Sequence, residues 1–106
     1  MITAIVRYKL PASIGREACR AHFEKIAPSF ASPAGLVRTQ FIRSERGVAG
    51  GISLWESINE ARSFYTGPWL NGILERYGNY PDIEYFETFA FTENPGGHVT
   101  ILDTGK

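Results

Sequence analysis

The spacing of apolar residues switches between a period of two and a period near 3.6 in a fixed order, and few folds accept that order. Residues 2 to 10 alternate, with Ile2, Ala4, Val6 and Tyr8 on one parity and Thr3, Ile5, Arg7 and Lys9 on the other. That is the pattern of a strand, and Pro11 stops it. From Ile14 the repeat lengthens: Ile14, Ala18, His22, Ile26 and Phe30, flanked by Cys19 and Phe23, make one face of a helix. Pro28 ends its regular part, and Pro33, Ala34 and Gly35 form the exit turn. Two strands follow, Leu36 to Ser44 and Val48 to Glu56, joined as a hairpin through Glu45, Arg46 and Gly47.

Ser57, Ile58, Asn59 and Glu60 read as a capping box that opens a second helix. Gly67 and Pro68 interrupt it, Ala61, Tyr65, Trp69, Ile73 and Tyr77 carry its inward stripe, and Gly78 caps it. A last strand is expected from about Asp82 to Thr92. The order β, α, β, β, α, β predicts an α+β chain of the ferredoxin-like type, a four-stranded antiparallel sheet with both helices on one face. Residues 1–93 would form this single domain. Residues 94–106 would be a tail whose segment HVTIL forms a short strand against a partner subunit.

With 106 residues the chain is sized for one core. Its 11 basic and 11 acidic residues cancel, leaving no stripe suited to phosphate backbones, so no nucleic acid partner is expected. Neither an export signal nor an 18-residue apolar run is present, so no membrane partner is expected and the cytoplasm is the default location. Cys19 is the only cysteine, which fits a reducing compartment.

A sheet with helices on one side leaves its other face wet in a monomer. Here both parities are apolar: Val48, Ile52 and Leu54 stand against Trp55, and Ile83, Tyr85, Phe89 and Phe91 against Phe86 and Ala90. A second copy of the chain is the simplest cover, so a homodimer is expected, with Ile5 on the pairing face and Val6 under the helices.

The run Gly50, Gly51, Ile52, Ser53, Leu54, Trp55, Glu56, Ser57, followed by Glu60, Ala61, Phe64, Tyr65, Pro68, Trp69, Tyr77 and Gly78, carries a family resemblance. With Leu36 after its turn and the closing strand EYFETFAF, the chain resembles the dimeric α/β-barrel superfamily. Within it, the likeness is to the YdhR-type monooxygenases, relatives of the antibiotic-biosynthesis monooxygenases. The resemblance implies a two-sheet dimer with a pocket in each subunit between sheet and helices. It also implies that Trp55 lines that pocket. Strand parity then sets Ser53 and Gly51 beside Trp55. Filling the core is the competing role for Trp55, and a bulge or a close helix would equally explain Gly51.

His22 sits on an otherwise apolar stripe, where a neutral imidazole could take a proton from a phenolic or enolic substrate; a hydrogen-bonded structural histidine is the alternative. Arg38 and Gln40, grouped by parity with Leu36 and Ile42, could orient a substrate oxygen or stabilise developing charge, or else make an ion pair or a dimer contact. Tyr65, Trp69 and Tyr77 form an aromatic stripe that would wall a flat ligand or simply pack. Cys19 and His22 lie one turn apart without further clustered ligands, so no metal site is expected. Haem-degrading relatives carry an iron-binding histidine and an asparagine where this chain has Ile73 and Val6. No phosphate loop or nucleophile elbow occurs, and no cofactor is expected.

Two functions follow. One is a cofactor-independent monooxygenase acting on a small aromatic or polyketide-like substrate. The other is a non-catalytic protein that binds a small hydrophobic molecule or serves as an interaction scaffold.

Overall fold

A computed structural model describes residues 1–102. Strands β1 (Ile2–Lys9), β2 (Leu36–Arg43), β3 (Val48–Trp55) and β4 (Asp82–Glu87) form an antiparallel sheet in the order β2-β3-β1-β4. Helices α1 (Arg16–Ile26), α2 (Ile58–Phe64) and α3 (Gly67–Tyr77) cover one face. Pro28 ends the α-helical geometry of α1, and residues Ala27–Ala31 continue as a 3-10 turn. Ser57 caps α2: its Oγ accepts the Glu60 backbone N–H at 3.3 Å and donates to Glu60 Oε1 at 3.0 Å. Gly78 closes α3 in the left-handed conformation, at φ 79°.

Register fixes what each face carries. Ala4 lies opposite Ser53 and Tyr85, and Val6 opposite Gly51 and Ile83. These residues therefore share the helix face. There Ala4, Val6, Tyr8, Ala49 and Trp55 build the core with Cys19, Ala61, Tyr65, Ile73 and Tyr77. Ile5, Ile52 and Leu54 share the outer face with Phe86. Val6 thus lies under the helices, as expected, and Ile5 on the opposite face of the sheet.

Two elements differ from expectation. A bulge between Leu36 and Arg38 reverses the parity of β2, so Leu36 pairs with Trp55 on the helix side while Arg38, Gln40 and Ile42 face outward. Leu36 therefore does not share the face of Arg38. The expected strand 82–92 is also broken. The β1–β4 ladder ends at the Ile2–Glu87 pair, and the Thr88 N–H donates to the carbonyl of Met1. Beyond it β5 (Ala90–Glu93) pairs with β6 (His98–Ile101), the expected tail strand, within the same chain. β5 approaches the outer face, with Phe91 and Glu93 near Arg38, Ile52 and Leu54; Leu54 is only 8% exposed, whereas Phe86 of that face is 40% and Ile101 of the hairpin 75% exposed. Residues 103–106 of the tail lie outside the described residues. No helix among the described residues is long and apolar enough to cross a membrane.

Candidate functional site

Positions 22 and 26 of α1, and 69, 73 and 77 of α3, recur every fourth residue, so each set forms one inward stripe. Between the stripes lies a cleft of about 250 Å³ bordered by His22, Ile26, Trp69, Ile73, Arg76 and Tyr77. On the sheet side of His22, Ile26, Trp69, Ile73 and Tyr77, which border both spaces, lies a chamber of about 50 Å³. Val6, Tyr8 and Gly51 form the chamber floor, and Tyr65 and Phe41 contribute to its walls. The absent side chain at Gly51 leaves this space above β3.

The floor is rigidly built. Tyr8 and Tyr77 stack with ring centroids 4.3 Å apart and an interplanar angle of 26°. The Arg76 Nε–H donates to the Tyr77 hydroxyl at 3.2 Å. Burial pushes the Tyr8 hydroxyl far above the ordinary phenol range, and the neighbouring Tyr77 hydroxyl adds to the effect, so Tyr8 stays neutral. The His22 imidazole is pushed the other way. Loss of solvent lowers its pKa first, and the positive charges of Arg76 and Lys25 lower it further. Neither ring nitrogen of His22 is hydrogen-bonded to another described residue, which is unlike a structural histidine held by its partners.

His22, Gly51, Tyr65, Trp69 and Tyr77 are thus brought together around one chamber. Trp55 is not part of it. It is fully buried, packed on Phe64 and Tyr65, and its indole N–H donates to the Tyr65 hydroxyl at 3.2 Å. Ser53 is 2% exposed, with its hydroxyl 2.9 Å from that of Thr39, bridging β3 to β2. Arg38 and Gln40 stand on the far side of the sheet from His22. There Arg38 donates to Gln40 at 2.7 Å and lies 3.6 Å from Glu93, bordering a separate cleft beneath the hairpin.

Sequence reasoning missed Tyr8 and Arg76. Tyr8 shares the parity of Val6, which was a usable signal. Arg76 adjoins the inward residue Tyr77 in the last helical turn, where a cation is ordinary and so gives no signal. Val6 and Ile73 both border the chamber and present no metal-ligating atom there. Among the described residues no group of three or more potential metal ligands occurs.

The arrangement offers a neutral imidazole and a guanidinium at one mouth, over an aromatic floor. A neutral base can accept a proton, and the adjacent cation can hold the resulting anion.

No family model matches the chain, and no curated protein matches it. Fifteen chains of solved structure do match. A protein of unknown function from Nitrosomonas europaea superposes with a TM-score of 0.70 at 16% identity, covering 90% of this chain and 95% of that one. A candidate antibiotic biosynthesis monooxygenase from Bordetella bronchiseptica gives 0.64 at 18% identity, with 82% and 95% covered. SnoaB, a cofactor-independent oxygenase from Streptomyces nogalater, gives 0.58 at 19% identity in a mutant form, with 82% and 91% covered. At these identities the likeness is one of fold: the chain has the ferredoxin-like fold of the antibiotic biosynthesis monooxygenase structures.

Proposed function

We propose that the chain is a cofactor-independent oxygenase of the monooxygenase type, acting on a small, acidic aromatic substrate in the α1–α3 cleft. One observation carries the reading: His22, held neutral and without a hydrogen-bond partner among the described residues, borders the same cleft as Arg76 and the aromatic floor. SnoaB, described as a cofactor-independent oxygenase, shares the fold and supports it.

In this reading His22 removes a proton from a phenolic or enolic substrate, or from the C–H of its keto tautomer, and Arg76 stabilises the anion. The electron-rich anion then reduces dioxygen held beside it among the aromatic side chains. With anthrone as probe, the methylene carbon becomes a carbonyl, one oxygen atom stays in the product and the other leaves as water. Trp69, Ile73 and Tyr77 hold the rings flat. Arg38 and Gln40 take no part, because the sheet separates them from the base. Oxygen uptake with anthrone, and incorporation of one labelled atom from ¹⁸O₂, test the proposal.

The homodimer belongs to this proposal as well. Ile5, Ile52 and Phe86 give the outer face an apolar character that the hairpin covers only in part, and a second copy would bury it. The narrower likeness to the YdhR type and a cytoplasmic setting rest on the sequence.

A second reading has its own support. The chamber measures only about 50 Å³, less than a flat aromatic molecule needs, and the fully buried Trp55 packs against its wall residue Tyr65. A binding or scaffold protein would look this way. It would bind aromatic molecules at the cleft mouth without consuming oxygen.

A further inference from the structure

We propose that the groove between the first half of α1 and the end of β2 is a binding site for a small aromatic carboxylate, with Arg43 as its anchor. The groove encloses about 310 Å³, at the lower end of the range for small-molecule sites. Cys19, Phe23 and Phe41 supply an apolar floor, and Arg16, Arg20 and Arg43 supply guanidinium groups. The tilted pair Phe23 and Phe41, with ring centroids 5.2 Å apart, borders both this groove and the chamber at His22, and so forms a wall between them.

The charges around the groove do not balance. Glu24 is paired with Arg20 at 3.2 Å, and Glu17 reaches both Arg16, at 2.5 Å, and Arg20, at 3.5 Å. Arg43 has no ion pair among the described residues, and its Nε is buried without a hydrogen-bond partner. Strand alternation is the cause: Arg43 lies opposite Ala49 on the helix face, so its side chain enters beneath α1 rather than solvent.

A buried donor without an acceptor is costly to the fold, and an arginine fork matches a carboxylate in both geometry and charge. One unmatched positive charge fits a singly charged carboxylate better than a phosphate. The phenylalanine floor fits the flat body of an aromatic ligand. This inference stands apart from the oxygenase reading, because it uses neither His22 nor Arg76.

The test is titration of the ¹⁵N-labelled full chain with 1-naphthoate, 1-naphthalenemethanol and inorganic phosphate, followed by amide shifts. Saturable shifts at Cys19, Arg20 and Ile42 with 1-naphthoate are expected, with the alcohol and phosphate each binding about tenfold more weakly or worse. Arg43→Gln should weaken 1-naphthoate by about tenfold or more while the spectrum stays dispersed. Arg16→Gln changes an exposed side chain and should weaken binding about two- to fivefold, which keeps the test open if the Arg43 variant does not fold. Absence of saturable binding, shifts confined to Trp69, Gly72 and Arg76, equal binding of the alcohol or of phosphate, or indifference to both substitutions would each overturn the assignment.

Discussion

The indole N–H of Trp55 donates to the hydroxyl of Tyr65 at 3.2 Å, tying the last residue of β3 to the junction between α2 and α3. Both side chains are buried, so neither polar atom has easy recourse to water. Tyr65→Phe leaves the indole N–H unpaired and should cost about 1–3 kcal/mol. Thermal unfolding should register this as a fall of several degrees in Tm. The pair is coupled, so Trp55→Phe combined with Tyr65→Phe should cost less than the sum of the two changes. Additive losses would show that the bond contributes nothing.

His22 should titrate below the ordinary imidazole value of about 6.5, because burial, then Arg76, then Lys25 disfavour its charged form. The sign for stability follows. Below about pH 6.5 the unfolded chain binds this proton more readily than the folded one, so the contribution of His22 destabilises increasingly as pH falls, and has no slope above that range. Urea midpoints between pH 5 and 7 should therefore rise less steeply with pH in His22→Gln. In Arg76→Met the imidazole pKa, followed by NMR, should move up while staying under its ordinary value, since burial persists. A downward move would contradict the assigned cause.

Adjacent glycines should behave differently. A Cβ at Gly50 would fall 1.8 Å from the Val6 carbonyl oxygen, backbone of the neighbouring strand that cannot swing aside. Gly50→Ala should cost about 2–4 kcal/mol. At Gly51 the nearest atoms are the Gln40 carbonyl oxygen at 3.3 Å and the Thr39 methyl at 3.5 Å, contacts that need only a small adjustment. Gly51→Ala should keep the fold within about 1 kcal/mol yet place a methyl on the chamber floor and weaken aromatic binding. Equal stability losses for the two variants would contradict this contrast.

The alternation in β1, the helical stripe of α1, the capping box at Ser57 and the glycine at 78 were all readable, because each is a local rule that the core then reinforces. His22 and the aromatic stripe of α3 were readable as neighbours for the same reason. Arg38 and Gln40 were not separable from His22 by sequence, since alternation says that two strand residues share a face but not which face, and a bulge at Val37 resets the count. Trp55 illustrates another limit. Its place at the strand-to-helix junction suited either a pocket wall or a core anchor, and the Tyr65 hydroxyl gave its N–H a buried partner. The break at Thr88 was hidden because residues 82–92 are uniformly strand-like, and where pairing with β1 stops is a long-range property that no local pattern encodes.

The outer face predicts assembly. Sedimentation at micromolar concentration should give a dimer, and Ile52→Arg, which places a charge among Ile5 and Gln40, should shift it toward monomer with the far-ultraviolet spectrum unchanged. A stable wild-type monomer would remove the pairing claim.

Most direct of all is anthrone-dependent oxygen uptake by the wild-type chain and by His22→Ala, with the fold of each checked by amide spectra. If His22 is the base, the wild type consumes one O₂ per anthraquinone formed, and the variant loses about 10²–10⁴-fold in kcat while still binding the probe. Undiminished turnover in the variant, or a wild type that binds anthrone without consuming oxygen, would contradict the account.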